Sequence, residues 1–189
     1  MRGILFAITG LVALAATPAS AYQIDPLTRQ PLHETDQYQL QASPVTREVV
    51  PYNGRHAPGT IVVSTSERRL YYVLGNGRAI RYGIGVGRPG FTWSGVKTVT
   101  AKREWPDWRP PPQMLKRRPD LPRYMPGGPD NPLGARALYL GNSLYRIHGS
   151  NEPDTIGQAV SSGCIRMMNE DVIDLYDRVR VGTKVIVMR

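Results

Sequence analysis

The sequence predicts a mainly β fold, a sandwich or barrel, with one main α-helix near the C-terminus. Short runs rich in Val, Ile and Tyr recur from residue 59 onward, separated by turns containing Gly or Asn, and this pattern is typical of β-sandwiches and barrels. Helical spacing of apolar residues is clear in one stretch, between Asn169 and Gly182. Residues 105–134 follow neither pattern and predict one long loop.

The first 21 residues predict a secretory signal peptide. Arg2 is a basic leader, residues 4–16 are apolar, and residues 19–21 (Ala-Ser-Ala) fit a signal-peptidase site. The apolar run is too short to cross about 30 Å of hydrocarbon, which favours cleavage over the alternative of an uncleaved anchor. We therefore expect an exported protein of the periplasm or cell envelope, with no permanent membrane anchor.

Residues 22–57 predict a flexible N-terminal extension of a domain that covers residues 58–189. The segment is polar, contains four prolines and shows no sustained periodicity, and such segments rarely bury enough apolar surface to order themselves. We expect the activity to reside in residues 58–189.

Seven short strands are expected in that domain. The turn Gly75-Asn76-Gly77 stands between the second and third, and Asn-Gly is a strong signal for a tight hairpin. The predicted strands, in chain order, are GTIVVST, RRLYYVL, GRAIRYGIGVG, GVKTVTAKREW, ALYLG, SLYRIHG and GTKVIVMR.

The single predicted helix starts at Asn169, which we expect to serve as its N-cap. Val172, Tyr176 and Val179 recur at helical spacing and predict one apolar face. Gly182 follows and leads into the last strand.

The loop over residues 105–134 contains nine prolines among thirty residues. Its aromatic residues, which include Trp105 and Trp108, argue for packing rather than disorder, because large side chains gain by burial. We expect a lid over a functional site in which both tryptophans contact the substrate. The alternative is a structural loop that covers a sheet edge.

The net charge of +9 suits an anionic partner such as cell wall, a membrane surface or nucleic acid. The basic residues are scattered, and Arg117-Arg118 is the densest pair in the loop region. This distribution favours the cell wall, and we expect no nucleic-acid partner.

Cys164 is the only cysteine. In an exported protein a single thiol is buried and inert, paired with another molecule, or reactive. A thiol–disulfide role lacks a second cysteine, and a zinc site would need more clustered ligands than one Cys and one His. We expect no metal and no cofactor.

A reactive Cys164 would need a base, and His148 at the end of a predicted strand is the candidate. Gly149 lets the chain turn there and expose a carbonyl that could hold the imidazole. The N–H groups of Gly163 and Cys164 could form an oxyanion hole. Arg166 could bind a substrate carboxylate or, equally, hold the loop by hydrogen bonds.

The runs HGS (148–150) and SSGCIRMMNEDVIDLY (161–176) strongly resemble the active-site motif of the L,D-transpeptidase (YkuD) catalytic-domain family. The run RRLYYVLGNGRAIRYGIGVGRPGFTWSG (68–95) is similar to the first hairpin and the following turn of that family. The likeness covers roughly residues 59–189. Ser162 departs from the commonest form, which has a second histidine at that position.

The resemblance implies a YkuD-like β-sandwich enzyme that acts on stem peptides of peptidoglycan. It assigns Cys164 as nucleophile, His148 as acid and base, and Gly149 as the residue whose carbonyl orients the histidine. Arg166 and Asn169 match motif positions of less defined role and, with Ser162, are expected near the substrate.

The resemblance also leaves the acyl acceptor open. A second stem peptide would give a 3–3 crosslink, an amine of an envelope protein would anchor that protein to the wall, and water would make the protein an L,D-carboxypeptidase. A non-catalytic wall-binding module is a further alternative. We expect a monomer.

Overall fold

The structure is a computed structural model that describes residues 45–189. The predicted signal peptide and residues 22–44 lie outside the described residues. Within residues 45–189 there is no helix of the length and hydrophobicity needed to span a membrane.

The described part of the chain is mainly β, which confirms the predicted fold class. Its strands are β1 (Glu48–Pro51), β2 (Ile61–Ser64), β3 (Arg69–Gly75), β4 (Arg78–Gly83), β5 (Val86–Gly87), β6 (Gly95–Glu104), β7 (Arg136–Leu140), β8 (Arg146–His148), β9 (Ala159–Ser161), β10 (Ile165–Arg166) and β11 (Lys184–Met188). The helices are α1 (Pro112–Arg117), a short 3-10 turn (Pro153–Thr155) and α2 (Asn169–Arg178).

Nine of these strands are hydrogen bonded in the order β1-β4-β3-β2-β11-β6-β7-β8-β10, while β5 pairs with β9. The last strand, β11, lies between β2, which runs parallel to it, and β6, which runs antiparallel. All four residues of β2 are buried, and so are Val185 and Val187 of β11. The two ends of the domain therefore meet in its hydrophobic core.

Strand β6 links the two halves of this sheet. Its first part, from Gly95 to Thr98, pairs with β11, and its second part, from Val99 to Glu104, pairs with β7. The register shifts between Val99 and Ala101, and such irregularities bend a strand and increase its twist. Strand β6 therefore connects the part of the sheet that contains β11 to the part that contains β7, β8 and β10.

The predicted hairpin at Gly75-Asn76-Gly77 is confirmed and joins β3 to β4. Asn76 and Gly77 have φ angles of 50° and 68°. Positive φ at both central positions matches the right-handed twist of the strands, and Asn and Gly adopt it at the lowest steric cost.

The expected flexible extension over residues 22–57 needs correction at residues 48–51, which form strand β1. This strand pairs antiparallel with β4, and Glu48 forms an ion pair with Arg81 of β4. Just before it, Arg47 Nη1 lies 3.5 Å from Asp171 Oδ1 of α2. The edge of β4 presents unpaired backbone groups that a polar segment can satisfy, and local composition does not reveal such a long-range pairing.

Helix α2 is present, but Asn169 is not its N-cap. Met168 occupies that position without a side-chain cap, and Asn169 is the first helical residue. The Asn169 amide oxygen instead accepts hydrogen bonds from Ala135 N at 3.0 Å and Ser150 N at 3.2 Å. Val172 and Leu175 are fully buried, so the apolar face of the helix was predicted correctly. The predicted cap, Asn169, instead holds the backbone segments at Ala135 and Ser150.

The long loop contains more order than the sequence predicted. Helix α1 forms inside it, with Pro112 in the first turn, where a missing N–H costs no helical hydrogen bond. Trp108 and Met125 exchange backbone hydrogen bonds of 2.9 Å in each direction. These contacts fold residues 105–134 back on themselves beside the sheet.

Candidate active site

One cavity of about 670 Å³ contains both residues that the sequence singled out, His148 and Cys164. One wall comes from the long loop, including Trp108 and Met114, and another from the loop that carries Cys164. Apolar and cationic side chains share the lining. The arrangement fits a peptide-sized ligand that bears charge.

His148 is the last residue of β8 and is 4% exposed. Its Nδ1 lies 2.6 Å from the carbonyl oxygen of Gly149. Since a carbonyl only accepts, Nδ1 carries the hydrogen, and Nε2 of the neutral ring is the nitrogen that can accept a proton. Backbone hydrogen bonds from Gly149 N to Arg136 O and from Met167 N to His148 O fix the strand end.

The electrostatic surroundings keep His148 neutral. Burial in the first place, and the positive charge of Arg166 in the second, lower its pKa to about 3. The carbonyl oxygen of Gly149 works in the opposite direction, because it stabilises the protonated ring. At neutral pH the imidazole is therefore an uncharged base.

Cys164 lies in the short loop between β9 and β10 and is half-buried. Its Sγ is 3.6 Å from the carbonyl oxygen of Leu144, to which the thiol donates. Burial raises the pKa of this thiol, whereas the backbone N–H, charge and side chain of Arg146 and the charge of Arg166 lower it in part. The resting group is a neutral thiol.

The parallel pairing of β8 and β10 brings these two residues into one neighbourhood. Ile165 lies opposite Ile147, and Arg166 lies opposite His148. Cys164 therefore comes level with Arg146, two residues, or about 6.6 Å, along the strand from His148. The thiol and the imidazole both line the same cavity.

Arg146 is a neighbour of the thiol that the sequence reasoning missed. Its Nη1 donates to Leu144 O at 3.4 Å, the same carbonyl that accepts the thiol hydrogen. Within residues 45–189 its Nε is buried without a hydrogen-bond partner. Strand alternation could have found it, because residues 146 and 148 of one strand face the same side.

Gly163 occupies a position that only glycine fits. Its φ is +106°, and a Cβ there would lie 2.6 Å from a ring carbon of Tyr145. Its N–H donates to Ser161 Oγ at 3.1 Å, and its carbonyl accepts from Trp93 Nε1 at 2.8 Å. The predicted oxyanion role of Gly163 would thus require its N–H to release Ser161.

Aromatic rings support this loop. Trp93 and Tyr145 stack with their centroids 4.4 Å apart and an interplanar angle of 10°. Ser161 Oγ also lies 2.6 Å from Cys164 O, so one hydroxyl links both sides of the thiol turn. No local pattern in the sequence indicates these long-range partners, which only folding brings to residues 161–164.

The other predicted site residues separate into two groups. Ser162, Arg166 and Trp108 line the cavity. Arg166 forms an ion pair with Glu152 at 2.6 Å, and Ser162 Oγ lies 3.4 Å from Arg88 Nη1.

Trp105 and Asn169 do not line the cavity. The backbone N–H of Trp105 donates to Ala135 O. Asn169 hydrogen bonds to the backbone on either side of the His148 turn, and its amide nitrogen donates to Ser150 O at 3.1 Å. Asn169 therefore contacts the backbone around the His148 turn and not the cavity itself.

Metal ligands are not clustered in the described residues: residues 45–189 contain no group of three or more His, Cys, Asp or Glu side chains able to hold an ion.

Residues 58–187 match the family model described as YkuD, L,D-transpeptidase catalytic domain. The chain is 44% identical over 134 residues to the Escherichia coli (strain K12) protein named "Probable L,D-transpeptidase ErfK/SrfK". This match covers 66% of the chain and 42% of the relative. The chain thus spans about two fifths of the length of that curated relative.

Solved structures share the fold. The NMR structure of the catalytic domain from E. faecium L,D-transpeptidase acylated by ertapenem has a TM-score of 0.54 at 22% identity and covers 71% of this chain and 100% of that one. The Brucella melitensis protein named "Probable carnitine operon oxidoreductase caia" is 44% identical, has a TM-score of 0.53 and covers 82% of this chain and 100% of that one.

The fold and the cavity define a β-sheet domain with a thiol and a buried imidazole in one cleft. The match over residues 58–187 then places it: the chain belongs to the L,D-transpeptidase (YkuD) catalytic-domain family, a family of peptidoglycan crosslinking enzymes. The family predicted from the runs around His148 and Cys164 is confirmed.

Proposed function

We propose that the protein is an exported L,D-transpeptidase that acts on stem tetrapeptides of peptidoglycan through a thioester on Cys164. The observation that supports this most directly is a neutral imidazole, held at Nδ1 by Gly149, that shares one cavity with a thiol. We further propose that residues 1–21 are a signal peptide and that the catalytic domain covers residues 58–189.

The first step is transfer of the thiol proton to Nε2 of His148 as sulfur attacks. Since burial raises the thiol pKa and lowers that of the imidazole, a resting ion pair is disfavoured, and transfer accompanies attack. To reach the imidazole, the thiol gives up Leu144 O. The guanidinium of Arg146, which shares that carbonyl, then stabilises the developing thiolate.

Sulfur attacks the carbonyl of the third stem residue and forms a tetrahedral intermediate. The N–H of Cys164 stabilises the oxyanion, joined by that of Gly163 once it leaves Ser161; one such donor contributes roughly 3–4 kcal/mol. The C–N bond to the terminal D-Ala breaks, and His148 returns the proton to the leaving amine. The product is a thioester on Cys164.

The acceptor amine then attacks the thioester and gives its proton to His148, and Cys164 leaves as the thiol. An amine of a second stem peptide gives a 3–3 crosslink, and an amine of an envelope protein gives wall attachment. Water gives an L,D-carboxypeptidase. We favour an amine, because the wall built from residues 105–134 contributes apolar side chains to the cavity, and such groups would reduce the access of water to the thioester.

A second candidate is a thiol oxidoreductase, and the Brucella melitensis relative is named a probable oxidoreductase. The chain has one cysteine and so can form no intrachain disulfide. A non-catalytic wall-binding module is a third candidate. A thiol and a neutral imidazole that line one cavity favour acyl transfer over both.

The test is incubation with disaccharide-tetrapeptide and mass analysis for crosslinked dimer and tripeptide. The wild type should release D-Ala and form dimer, and Cys164→Ser should do neither while its circular dichroism is unchanged. Equal rates in the two proteins would refute thiol catalysis.

Reaction with a carbapenem distinguishes the transpeptidase from the thiol oxidoreductase and from the wall-binding module. Intact-mass analysis should show a covalent adduct on the wild type and none on Cys164→Ser. A wall-binding module with an inert thiol gives no adduct, and a redox thiol reacts with small disulfides but not with the β-lactam.

A further inference from the structure

The cavity is strongly cationic. It is lined by five arginines and one acidic residue: Arg88, Arg117, Arg118, Arg146, Arg166 and Glu152. Arg166 is paired with Glu152, and Arg118 with Asp120. In the described part of the chain the other three arginines form no ion pair.

Two of these three converge on one aromatic ring. The guanidinium carbon of Arg88 lies 4.2 Å from the ring centroid of Phe91, and that of Arg117 lies 5.1 Å from it. The ring attracts each cation, and the two distances place the guanidinium carbons no more than 9.3 Å apart (4.2 plus 5.1 Å), so their like charges repel. An anion between them would remove that repulsion.

The two cations come from different parts of the fold. Arg88 follows β5 on the sheet side, is half-buried and reaches Val160 O at 3.5 Å. Arg117 is the last residue of α1 in the long loop and is exposed. A ligand bound to both would therefore join the loop to the sheet.

Arg88 also connects this pair to the thiol turn. Its Nη1 lies 3.4 Å from Ser162 Oγ, two residues before Cys164. A group held by Arg88 is consequently close to the peptide bond that Cys164 would attack.

We propose that Arg88 and Arg117, together with Phe91, form a subsite for a free carboxylate of the peptide donor. This inference rests on the proposed function and specifies its substrate as an acidic peptide. Guanidinium groups bind carboxylates through paired, charge-assisted hydrogen bonds that a carboxamide does not reproduce. The carboxylate draws α1 toward the thiol turn and positions the scissile carbonyl.

The experiment compares a stem tetrapeptide with free side-chain carboxylates and the same peptide with those groups as carboxamides. The C-terminal D-Ala stays unchanged. The proteins are wild type, Arg88→Gln/Arg117→Gln, Arg88→Lys/Arg117→Lys and the control Arg103→Gln, an exposed arginine of β6 outside the cavity. The readout is the ratio of kcat/KM for acid over amide, because a general defect in the thiol turn cancels in that ratio.

The wild type and the control should prefer the acid peptide by about tenfold or more, mostly through KM. The double Gln variant should lose that preference, and the double Lys variant should keep part of it. Raising the salt concentration should reduce the preference, since exposed charges such as Arg117 are screened. Equal kcat/KM values of the wild type for the two peptides would overturn the subsite. So would a double Gln variant whose acid-over-amide ratio matches that of the wild type.

Calorimetric binding to Cys164→Ala separates this proposal from the proposed function. If the acid peptide binds more tightly and the two Gln substitutions remove the difference, the subsite stands even when the wild type releases no D-Ala. That combination would overturn the transpeptidase proposal alone. If Cys164→Ala binds the acid and amide peptides equally while the wild type still releases D-Ala, only the subsite is overturned.

Discussion

His148 and Cys164 illustrate how burial sets the chemistry of single residues. Burial favours the uncharged form of each, so it lowers the pKa of the imidazole and raises that of the thiol. Proton transfer between them is unfavourable at rest and needs help from nearby positive charge. Arg146 is one such group, because it shares the Leu144 carbonyl with the thiol and lowers the pKa of the thiol.

Arg146→Gln should slow alkylation of Cys164 at neutral pH by about tenfold, because a thiolate loses an adjacent cation. The measurement is the rate of iodoacetamide labelling against pH, followed by mass spectrometry. Arg103→Gln, which removes an equally charged but remote side chain, should label like the wild type. An Arg146→Gln profile that overlays the wild type would remove this residue from the mechanism.

His148 and Asp171 should affect stability in opposite directions as pH falls. His148 has a pKa of about 3 when folded against 6.5 ordinarily, so the unfolded chain binds its proton first and stability is lost from pH 6.5 down to 3. Asp171 is buried, which raises its pKa from 3.8 to about 6. The folded chain binds that proton first, and stability is gained from pH 6 down to 3.8.

Urea unfolding between pH 4 and 6 tests both residues. His148→Gln should become more stable relative to the wild type on acidification, by up to about 1.4 kcal/mol per pH unit. Asp171→Asn should become less stable by a similar slope. The slope of the unfolding free energy against pH does not depend on how much stability either substitution removes at neutral pH. Parallel curves for all three proteins would contradict the assigned protonation states.

At the scale of elements, strand β1 covers the edge of β4. It pairs through four residues, from Glu48 to Pro51, and the preceding Arg47 reaches the buried Asp171 of α2. An uncovered edge strand is also a site of aggregation. The N-terminal extension therefore contributes to the domain at its sheet edge and at its main helix.

A chain that starts at residue 53 should be less stable than one that starts at residue 45, because only the longer one contains β1. Loss of the β1 ladder should cost on the order of 2 kcal/mol. Thermal unfolding followed by circular dichroism measures the difference. Equal melting temperatures for the two truncations would show that β1 contributes nothing to stability.

At the scale of the whole molecule, we expect the acyl acceptor of the proposed reaction to depend on how residues 105–134 line the cavity. The loop supplies Trp108, Met114 and Leu121 to the cavity wall. Each apolar group that covers the thioester reduces access of water while an amine-bearing peptide waits to bind. In the proposed mechanism, the choice between transpeptidation and hydrolysis would thus be a property of the assembled cleft.

Replacement of residues 112–121 by a Gly/Ser linker of equal length should raise the ratio of tripeptide to crosslinked dimer severalfold. The reason is that water gains access to the thioester while the thiol and imidazole remain. Mass analysis of the products gives the ratio, and thermal unfolding verifies that the domain is intact. A folded variant with the wild-type product ratio would show that this wall does not control the acceptor.

Much of the local structure followed from local pattern. The hairpin at Gly75-Asn76-Gly77 needs only residues that accept positive φ, and the apolar face of α2 needs only helical spacing. The motif around Cys164 sufficed for the family. These features depend on neighbours within a few residues, so the sequence alone determined them.

Tertiary structure decided which distant residues each side chain contacts. Asn169 satisfies the backbone of the His148 turn rather than capping its helix, and Gly163 donates to Ser161. Arg88 and Arg117 meet at Phe91 although they belong to separate segments. Burial and charge near the thiol arise from contacts between residues far apart in the chain. The protonation states and the cationic character of the cleft are therefore properties of the folded protein.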